Sequence, residues 1–193
     1  MACAILLPAA GASRRMRGAD KLLEWLGNAP LLRVIAERAL SASAHVAVTL
    51  PPNAQARAQA LDGLPVQMLP VPDAAEGMAA SLRAGAEWAM GLPADALMIA
   101  LPDMPDVTAA DMKALIAAQA RRPDQPLRAR TAAGVAGHPT LLPRALLPRV
   151  MGMQGDTGAR ALLRTHPPRL FTLAGDRAAT DLDTPEDWAR WRG

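Results

Sequence analysis

Four cations crowd a short glycine-containing stretch near the start of the chain, "LPAAGASRRMRGADK": they are Arg14, Arg15, Arg17 and Lys21. The stretch directly follows a short apolar run at residues 5–7, which is typical of a buried strand. Bare backbone N–H groups in a turn of small residues, with arginine and lysine beside them, suit a bound polyphosphate. The residue types therefore predict an anion site, and the alternative is a solvated basic loop, since charge runs usually lie on the surface.

Two familiar phosphate-binding loops do not fit this stretch. A dinucleotide fingerprint requires a glycine two residues after Gly11, where the chain has Ser13. A P-loop requires lysine and then serine or threonine directly after its last glycine, whereas Gly18 is followed by residues 19–21, "ADK". A nicotinamide-dependent oxidoreductase is therefore excluded as an interpretation.

An acidic turn follows the most apolar run of the chain, in "MIALPDMPDVTAAD". Thr108 and Asp111 have the T-x-x-D spacing of a helix capping box, so we assign them to starting a helix. Asp103 has no such partner, and Asp106 is ambiguous. Because Mg²⁺ is usually held by one or two carboxylates and phosphate oxygens, Asp103 is the first candidate metal ligand. A plain turn-forming aspartate is the alternative.

A second acidic turn, "DLDTPEDW", lies near the end of the chain. Thr184, Pro185 and Asp187 match a helix N-cap, first helical residue and capping-box partner. Asp181 and Asp183 precede the cap and have no structural assignment. Acids that only flank the helix start are one interpretation of these two residues.

Short apolar segments alternate with helical segments along the chain. Strands are predicted within residues 3–8, 45–51, 66–71, 95–102, 127–142 and 169–175, with a single strand in the fifth range. Helices are predicted within residues 30–43, 53–63, 77–91, 108–122, 156–166 and 184–192. This order predicts one α/β domain over residues 1–193, with a mainly parallel sheet between two helical layers. Ligands of such folds bind beyond the carboxyl ends of the strands.

Composition narrows the classes of function. The formal net charge of the 193 residues is only +3 and aromatic residues make up 3%, so we expect no nucleic-acid partner. The single cysteine, Cys3, excludes an internal disulfide. No apolar run approaches the roughly 20 residues of a membrane helix, so we expect no membrane association. No charged segment precedes the first apolar run, and we expect a cytoplasmic location.

The cationic stretch resembles the signature L-A-A-G-x-S-x-R-M-G-x-x-K of the MobA-like NTP transferases. It is most similar to the molybdenum cofactor cytidylyltransferases, since Ala9-Ala10-Gly11 stands where guanylyl members tend to have Gly-Gly. Arg17 departs from the signature, because it is inserted between Met16 and Gly18. The resemblance implies a Rossmann-like nucleotidyltransferase fold of the nucleotide-diphospho-sugar transferase type. It covers about residues 2–188.

The resemblance also implies a nucleotide site. Its residues would be Pro8, Ala9, Ala10, Gly11, Ala12, Ser13, Arg14, Arg15, Lys21, Gly77, Ser81, Pro102 and Asp103. Gly77 and Ser81 come from "GMAASLRAG", which resembles a motif beside the base and ribose; an alanine-rich core helix is the alternative. Lys21, Arg15 and Asp103 would be catalytic. The turn "DLDTPED" resembles the family's C-terminal motif, in which an acid beside the helix cap completes the metal site, so Asp103 with Asp183, favoured over Asp181, would bind Mg²⁺.

Two further motifs resemble the acceptor side of the same family. They are "GHP", Gly137, His138 and Pro139, and "GDTGAR", which contributes Gly155, Asp156 and Arg160. The implied reaction transfers CMP from CTP to the phosphate of molybdopterin cofactor and releases pyrophosphate. Alternatives are a cytidylyl- or guanylyltransferase acting on a sugar or polyol phosphate, or a non-catalytic nucleotide- or cofactor-binding partner of a molybdoenzyme. The choice between CTP and GTP stays open.

Overall fold

The computed structural model describes residues 1–153 and 158–192, apart from the side chains of residue 14 and of residues 158–160. The strands are β1 (Cys3–Pro8), β2 (Trp25–Leu26), β3 (Ala29–Pro30), β4 (His45–Leu50), β5 (Gln67–Pro70), β6 (Ala96–Ile99), β7 (Leu127–Arg130), β8 (Ala136–Pro143) and β9 (Arg169–Thr172). The helices are α1 (Leu31–Ala42), α2 (Gln55–Ala60), α3 (Met78–Met90), α4 (Ala109–Ala120), α5 (Leu147–Met151), α6 (Gly158–Thr165) and α7 (Pro185–Arg192).

Seven strands form one sheet in the order β5-β4-β1-β6-β8-β7-β9. The pairs β4–β5, β1–β4, β1–β6 and β7–β9 are parallel, and β8 runs antiparallel to both β6 and β7. The sheet is therefore mainly parallel, which confirms the predicted fold class. Strands β2 and β3 form a separate small hairpin that was not predicted.

Strand β1 lies inside the sheet, between β4 and β6, and all of its residues are buried. On one face Ile5 and Leu7 pack in a cluster with α1 and α4, and on the other Ala4 and Leu6 pack with α3 and α5. A Cβ at Gly85 of α3 would lie 2.2 Å from Leu6 Cδ2, so the glycine lets this helix approach the sheet closely. Burial on both faces explains why "CAILLP" reads as a continuous apolar run.

The predicted single strand within residues 127–142 is wrong, because this segment forms the hairpin β7–β8. Gly134 turns the chain with a φ of +91°, a conformation in which a side chain would be strained. Thr131 N–H donates to Val135 O at 2.9 Å and closes the turn. The hairpin explains why β8 runs against the direction of β6.

Both predicted capping boxes are present. Thr108 Oγ1 accepts from Asp111 N at 3.1 Å, and Thr184 Oγ1 accepts from Asp187 N at the same distance. Both aspartates in turn accept from the backbone N–H of their threonine.

None of the helices among the described residues has the length and hydrophobicity to span a lipid bilayer.

Candidate active site

Lys21 lies between two carboxylates that come from distant parts of the chain. Its Nζ is 2.5 Å from Asp103 Oδ2 and 2.5 Å from Asp183 Oδ1. The side chains are 17%, 16% and 26% exposed, so the group is largely shielded from solvent. Arg15, which is mostly exposed, pairs with the other oxygen of Asp183. The structure thus brings together the three predicted catalytic residues and the second predicted metal ligand.

The sheet explains why these residues meet. Strands β1 and β6 are parallel neighbours, so the segments after their carboxyl ends lie side by side. Asp103 follows β6, and Lys21 begins a short 3₁₀ helix, Lys21–Leu23, in the segment after β1. Leu182 N–H donates to Asp103 O at 3.0 Å, which holds the C-terminal acidic turn against the other two segments.

The carboxylates keep Lys21 charged. Burial alone would lower the pKa of Lys21, but the charges and hydrogen bonds of Asp103 and Asp183 outweigh it and raise the pKa above the ordinary value. Burial and the repulsion of Asp183 and Asp103 raise the pKa of Asp181. Asp181 is thus close enough to affect this group electrostatically, although its side chain is exposed.

One oxygen of the site is left without a partner. Asp103 Oδ1 is buried and makes no hydrogen bond, which is costly unless a ligand or ion completes it. Among the described residues, no three His, Cys, Asp or Glu side chains converge as a metal-binding group. A divalent ion here would therefore have two carboxylates at most from the protein, Asp103 and Asp183, as is common for Mg²⁺ that also binds phosphate oxygens.

Arg57 of α2 holds the segment after β1 in place through hydrogen bonds. The sequence analysis did not identify this residue. Arg57 is 6% exposed. It donates to both oxygens of Asp20, at 2.6 and 2.9 Å, and to the carbonyl oxygens of Ala9 and Gly11, at 2.5 and 2.8 Å. Ser13 has a left-handed backbone with φ 47°, and its Oγ donates to Asp20 at 3.1 Å. The sequence offered one indirect signal of this support: Asp20, the carboxylate that Arg57 binds, directly precedes Lys21.

A cleft of about 160 Å³ lies beside this segment. Seven of the predicted nucleotide-binding residues line it: Pro8, Gly11, Lys21, Gly77, Ser81, Pro102 and Asp103. Gly77 has a φ of 87° and a ψ of −156°, a conformation open essentially to glycine alone, and it leads directly into α3. The cleft therefore lies beyond the carboxyl ends of β1 and β6, as predicted.

Other predicted nucleotide-binding residues are placed differently. Ala9 and Ala10 are buried, whereas Ala12 is exposed. The Ser13 hydroxyl bonds to Asp20 and Arg57. The side chain of Arg14 lies outside the described part of the chain. If these residues bind a phosphate, Ala9, Ala10 and Ala12 can do so only through their backbone.

A second cavity, of about 480 Å³, adjoins the first, and Met78 and Leu101 line both. Its walls are mainly aliphatic and include two buried polar atoms without a hydrogen-bond partner, His138 Nδ1 and Thr140 Oγ1. Burial, and then the positive charge of Arg128, lower the pKa of His138 to about 4. His138 is therefore neutral at pH 7.

The remaining predicted acceptor residues have other surroundings. A Cβ at Gly137 would lie 1.6 Å from Ala178 O, so this glycine is needed for close backbone packing. Pro139 is buried and follows a cis peptide bond. Gly155 and Asp156 lie outside the described residues, and so does the side chain of Arg160.

The other charged residues considered from the sequence have structural partners. Arg17, the inserted residue, pairs with Glu186 of α7 at 2.6 Å. Asp106, which was ambiguous, accepts from Trp191 Nε1 at 2.9 Å. Arg83 pairs with Glu76 and also donates to Met153 O. These contacts join the cationic segment to α7, and α3 to the segment after α5.

Comparisons with known proteins agree with this geometry. A family model described as "MobA-like NTP transferase domain" matches residues 4–170. The structure is similar to that of Rv0371c from Mycobacterium tuberculosis H37Rv, with a TM-score of 0.84 and 28% identity over 98% of this chain and 97% of that chain. A second Rv0371c structure is a complex with manganese; it has a TM-score of 0.79 and 26% identity over the same shares of the two chains.

Two more distant structures share the fold. A nucleotidyl transferase from Methanothermobacter (Mth528) has a TM-score of 0.78 and 20% identity, covering 99% of this chain and 96% of that chain. A CMP:2-keto-3-deoxy-manno-octonic acid synthetase complexed with CTP has a TM-score of 0.79 and 16% identity, covering 100% and 97%. A comparison with curated protein sequences returns no match.

The mainly parallel sheet, the cleft beside the cationic segment and the family match together place the chain in the class of Rossmann-like nucleotidyltransferases. More narrowly, the family match spans most of the sequence, and the chain belongs to the MobA-like NTP transferase domain family.

Proposed function

We propose that this protein transfers CMP from CTP to the phosphate of a molybdopterin-type acceptor and releases pyrophosphate, with Mg²⁺ as the metal. The observation that carries the proposal is the placement of Lys21 between Asp103 and Asp183 at the cleft beside the cationic segment. A shielded cation and two carboxylates, with further arginine nearby, suit a reaction in which negative charge moves between phosphate groups.

The chain's own residues act by position and charge. An acceptor phosphate oxygen attacks the α-phosphorus of CTP, the bond from that phosphorus to the bridging oxygen of the β-phosphate breaks, and pyrophosphate leaves with its electron pair. A phosphate monoester has a second pKa of about 6, so the attacking oxygen needs no general base. Lys21 and Arg15 neutralise the charge that builds on the triphosphate. This accounts for a site with cations and acids and, among the residues that the structure describes, no serine–histidine pair.

Asp103 and Asp183 would hold the metal. The fit rests on Asp103 Oδ1, which is buried without a hydrogen-bond partner and so has coordination capacity to spare. When bound, Mg²⁺ would supply further positive charge beside the triphosphate. Lys21 then has to shift from the carboxylates toward the phosphates, because it bonds to both aspartates in the structure described here.

Support for CTP comes from likeness to other proteins. The Ala9-Ala10-Gly11 sequence resembles the cytidylyl members of the family. Among proteins with this fold, the 2-keto-3-deoxy-manno-octonic acid synthetase structure is a complex with CTP.

The second cavity supports an acceptor with a flat, partly polar body. Its volume of about 480 Å³ is within the range of small-ligand sites. The aliphatic walls can cover the faces of a ring system, and His138 Nδ1 and Thr140 Oγ1 can bond to its edge. Because Met78 and Leu101 line both cavities, an acceptor there would reach the nucleotide directly.

The proposal is tested in two stages with the full chain. Thermal melting with CTP, GTP, ATP or UTP and Mg²⁺ should show the largest rise with CTP, because a ligand that binds only the folded form stabilises it. Pyrophosphate release is then measured with CTP and a pterin, sugar-phosphate or polyol-phosphate acceptor, and with Mg²⁺ replaced by Mn²⁺ in parallel.

Each stage can contradict the proposal. A larger rise in melting temperature with GTP would overturn the choice of nucleotide. Turnover with a sugar or polyol phosphate in place of the pterin would overturn the acceptor. CTP binding without pyrophosphate release from any acceptor would favour a partner protein that holds a nucleotide or cofactor for a molybdoenzyme.

A further inference from the structure

We propose that Arg57 is a positioning residue for the triphosphate, acting from beneath the segment formed by residues 9–21. This inference rests on the proposed function and extends it to a residue outside the cleft. Arg57 lies on the short helix α2, where a solvated arginine would be the ordinary expectation, yet its side chain is 7% exposed. A buried guanidinium is costly unless its donors are satisfied.

All three nitrogens of the Arg57 guanidinium donate hydrogen bonds to this one segment. Nε and one terminal nitrogen form a two-point pair with the Asp20 carboxylate, and that terminal nitrogen also donates to Ser13 Oγ at 3.2 Å. The other terminal nitrogen donates to Ala9 O and Gly11 O. The start and the end of the segment are therefore held on the same planar group.

The carbonyl bonds fix the direction of two backbone amides. In a trans peptide the C=O and the following N–H point to opposite sides, and the peptides after Ala9 and Gly11 are trans. When the carbonyls of Ala9 and Gly11 point to Arg57, the N–H groups of Ala10 and Ala12 point away from it. Gly11, between Ala10 and Ala12 in the chain, lines the cleft, so a phosphate bound against Gly11 would accept from these donors.

Asp20 links Arg57 to the position of Lys21. Its Oδ1 accepts from Leu22 N at 3.1 Å and caps the 3₁₀ helix that begins at Lys21. The pair with Arg57 holds this cap in place. One buried arginine thus fixes the orientation of the backbone N–H donors and the position of the Lys21 ammonium group. In the proposed function both bind the triphosphate.

The test compares nucleotides that differ only in phosphate number. Arg57→Lys keeps a positive charge but cannot reproduce the two-point pair and the carbonyl bonds together. We expect its dissociation constant for CTP to rise about tenfold or more. The dissociation constant for CMP should change by less than about twofold, because base and ribose contacts are untouched. Both constants are measured by calorimetry, directly for CTP and by displacement for CMP.

Arg33→Lys is the matched control. Arg33 of α1 also donates to carbonyls around α2, those of Ala60 and Asp62 at 3.2 and 3.0 Å, but does not contact residues 9–21. Its variant should bind both nucleotides as the wild type does. If Arg57→Lys does not fold, as judged by circular dichroism, Asp20→Asn is compared in the same way and should show the same selective loss for CTP.

Three outcomes overturn the inference. CTP binding by the folded variant at wild-type strength would remove any role for Arg57. An equal loss for CTP and CMP would show a general structural effect. If the wild type binds no nucleoside triphosphate at all, the proposed function fails and this inference fails with it, which distinguishes that result from the first two.

Discussion

The cleft beside Lys21 and the cavity beside His138 share Met78 and Leu101 in their walls, yet their polar groups have different partners. At the cleft the charged groups are paired: Lys21 bonds to Asp103 and Asp183, although one oxygen of Asp103 has no hydrogen bond. In the larger cavity His138 Nδ1 and Thr140 Oγ1 are buried with no partner in the described part of the chain.

The difference has a physical consequence. The charges at the cleft compensate one another without a ligand, so substitutions there should affect turnover more than folding. An unpaired polar atom in an aliphatic cavity lowers the stability of the empty protein, and a ligand can recover that loss. Substitutions in the second cavity should therefore show first in stability.

The largest effect is expected from Asp103→Asn. The amide keeps the shape of the side chain but removes the charge, so metal-dependent turnover should fall to background. Pyrophosphate release is measured while Mg²⁺ or Mn²⁺ is raised. The control is Asp181→Asn, a nearby exposed acid, which should retain most of the activity. Unchanged metal dependence in Asp103→Asn would contradict the assignment of this ligand.

Lys21→Ala should lower turnover by about 10²-fold or more, because a fixed charge beside the α-phosphate is lost. Circular dichroism should show a folded protein. Divalent metal should raise its melting temperature more than that of the wild type, since Asp103 and Asp183 then lack their cation. Lys113→Ala, at an exposed position of α4, is the control. A nearly normal rate in Lys21→Ala would remove its role.

The sequence placed Asp103 and Lys21 at the same edge of the sheet, but it did not identify the residue that supports Lys21. Asp103 and Lys21 follow strands in the chain, and neighbouring parallel strands bring their carboxyl ends together whatever the loops do. The capping boxes could also be predicted, because they depend only on local residue spacing. Arg57 could not be found in this way, because its partners are backbone carbonyls 48 and 46 residues away. The β7–β8 hairpin was missed because its turn, "TAAGV", lacks the dipeptides that mark tight hairpins.

The effect of His138 on the stability of the second cavity can be tested by varying the pH. The pKa of His138 is lowered from 6.5 to about 4 by burial, so the unfolded chain binds its proton first as pH falls. Stability should therefore be lost between pH 6.5 and 4, by about 2 kcal/mol at pH 5 for this group. His138→Gln should lose that much less between pH 8 and pH 5, measured by urea unfolding. His45→Gln is the control, and equal losses in His138→Gln and wild type would contradict the prediction.

The smallest effect is expected from Thr140→Val, and its sign is what matters. Valine replaces a buried hydroxyl that has no partner with a methyl group of similar shape, so the empty protein should gain about 1 kcal/mol in free energy of unfolding. Thr131→Val is the matched control: Thr131 is also buried, but its Oγ1 accepts from Val135 N at 3.1 Å, so this variant should lose about 1 kcal/mol. Both values come from urea unfolding without ligand. A destabilised Thr140→Val would mean that this hydroxyl is already satisfied in the empty protein, and the contrast between the two cavities would then rest on His138 alone.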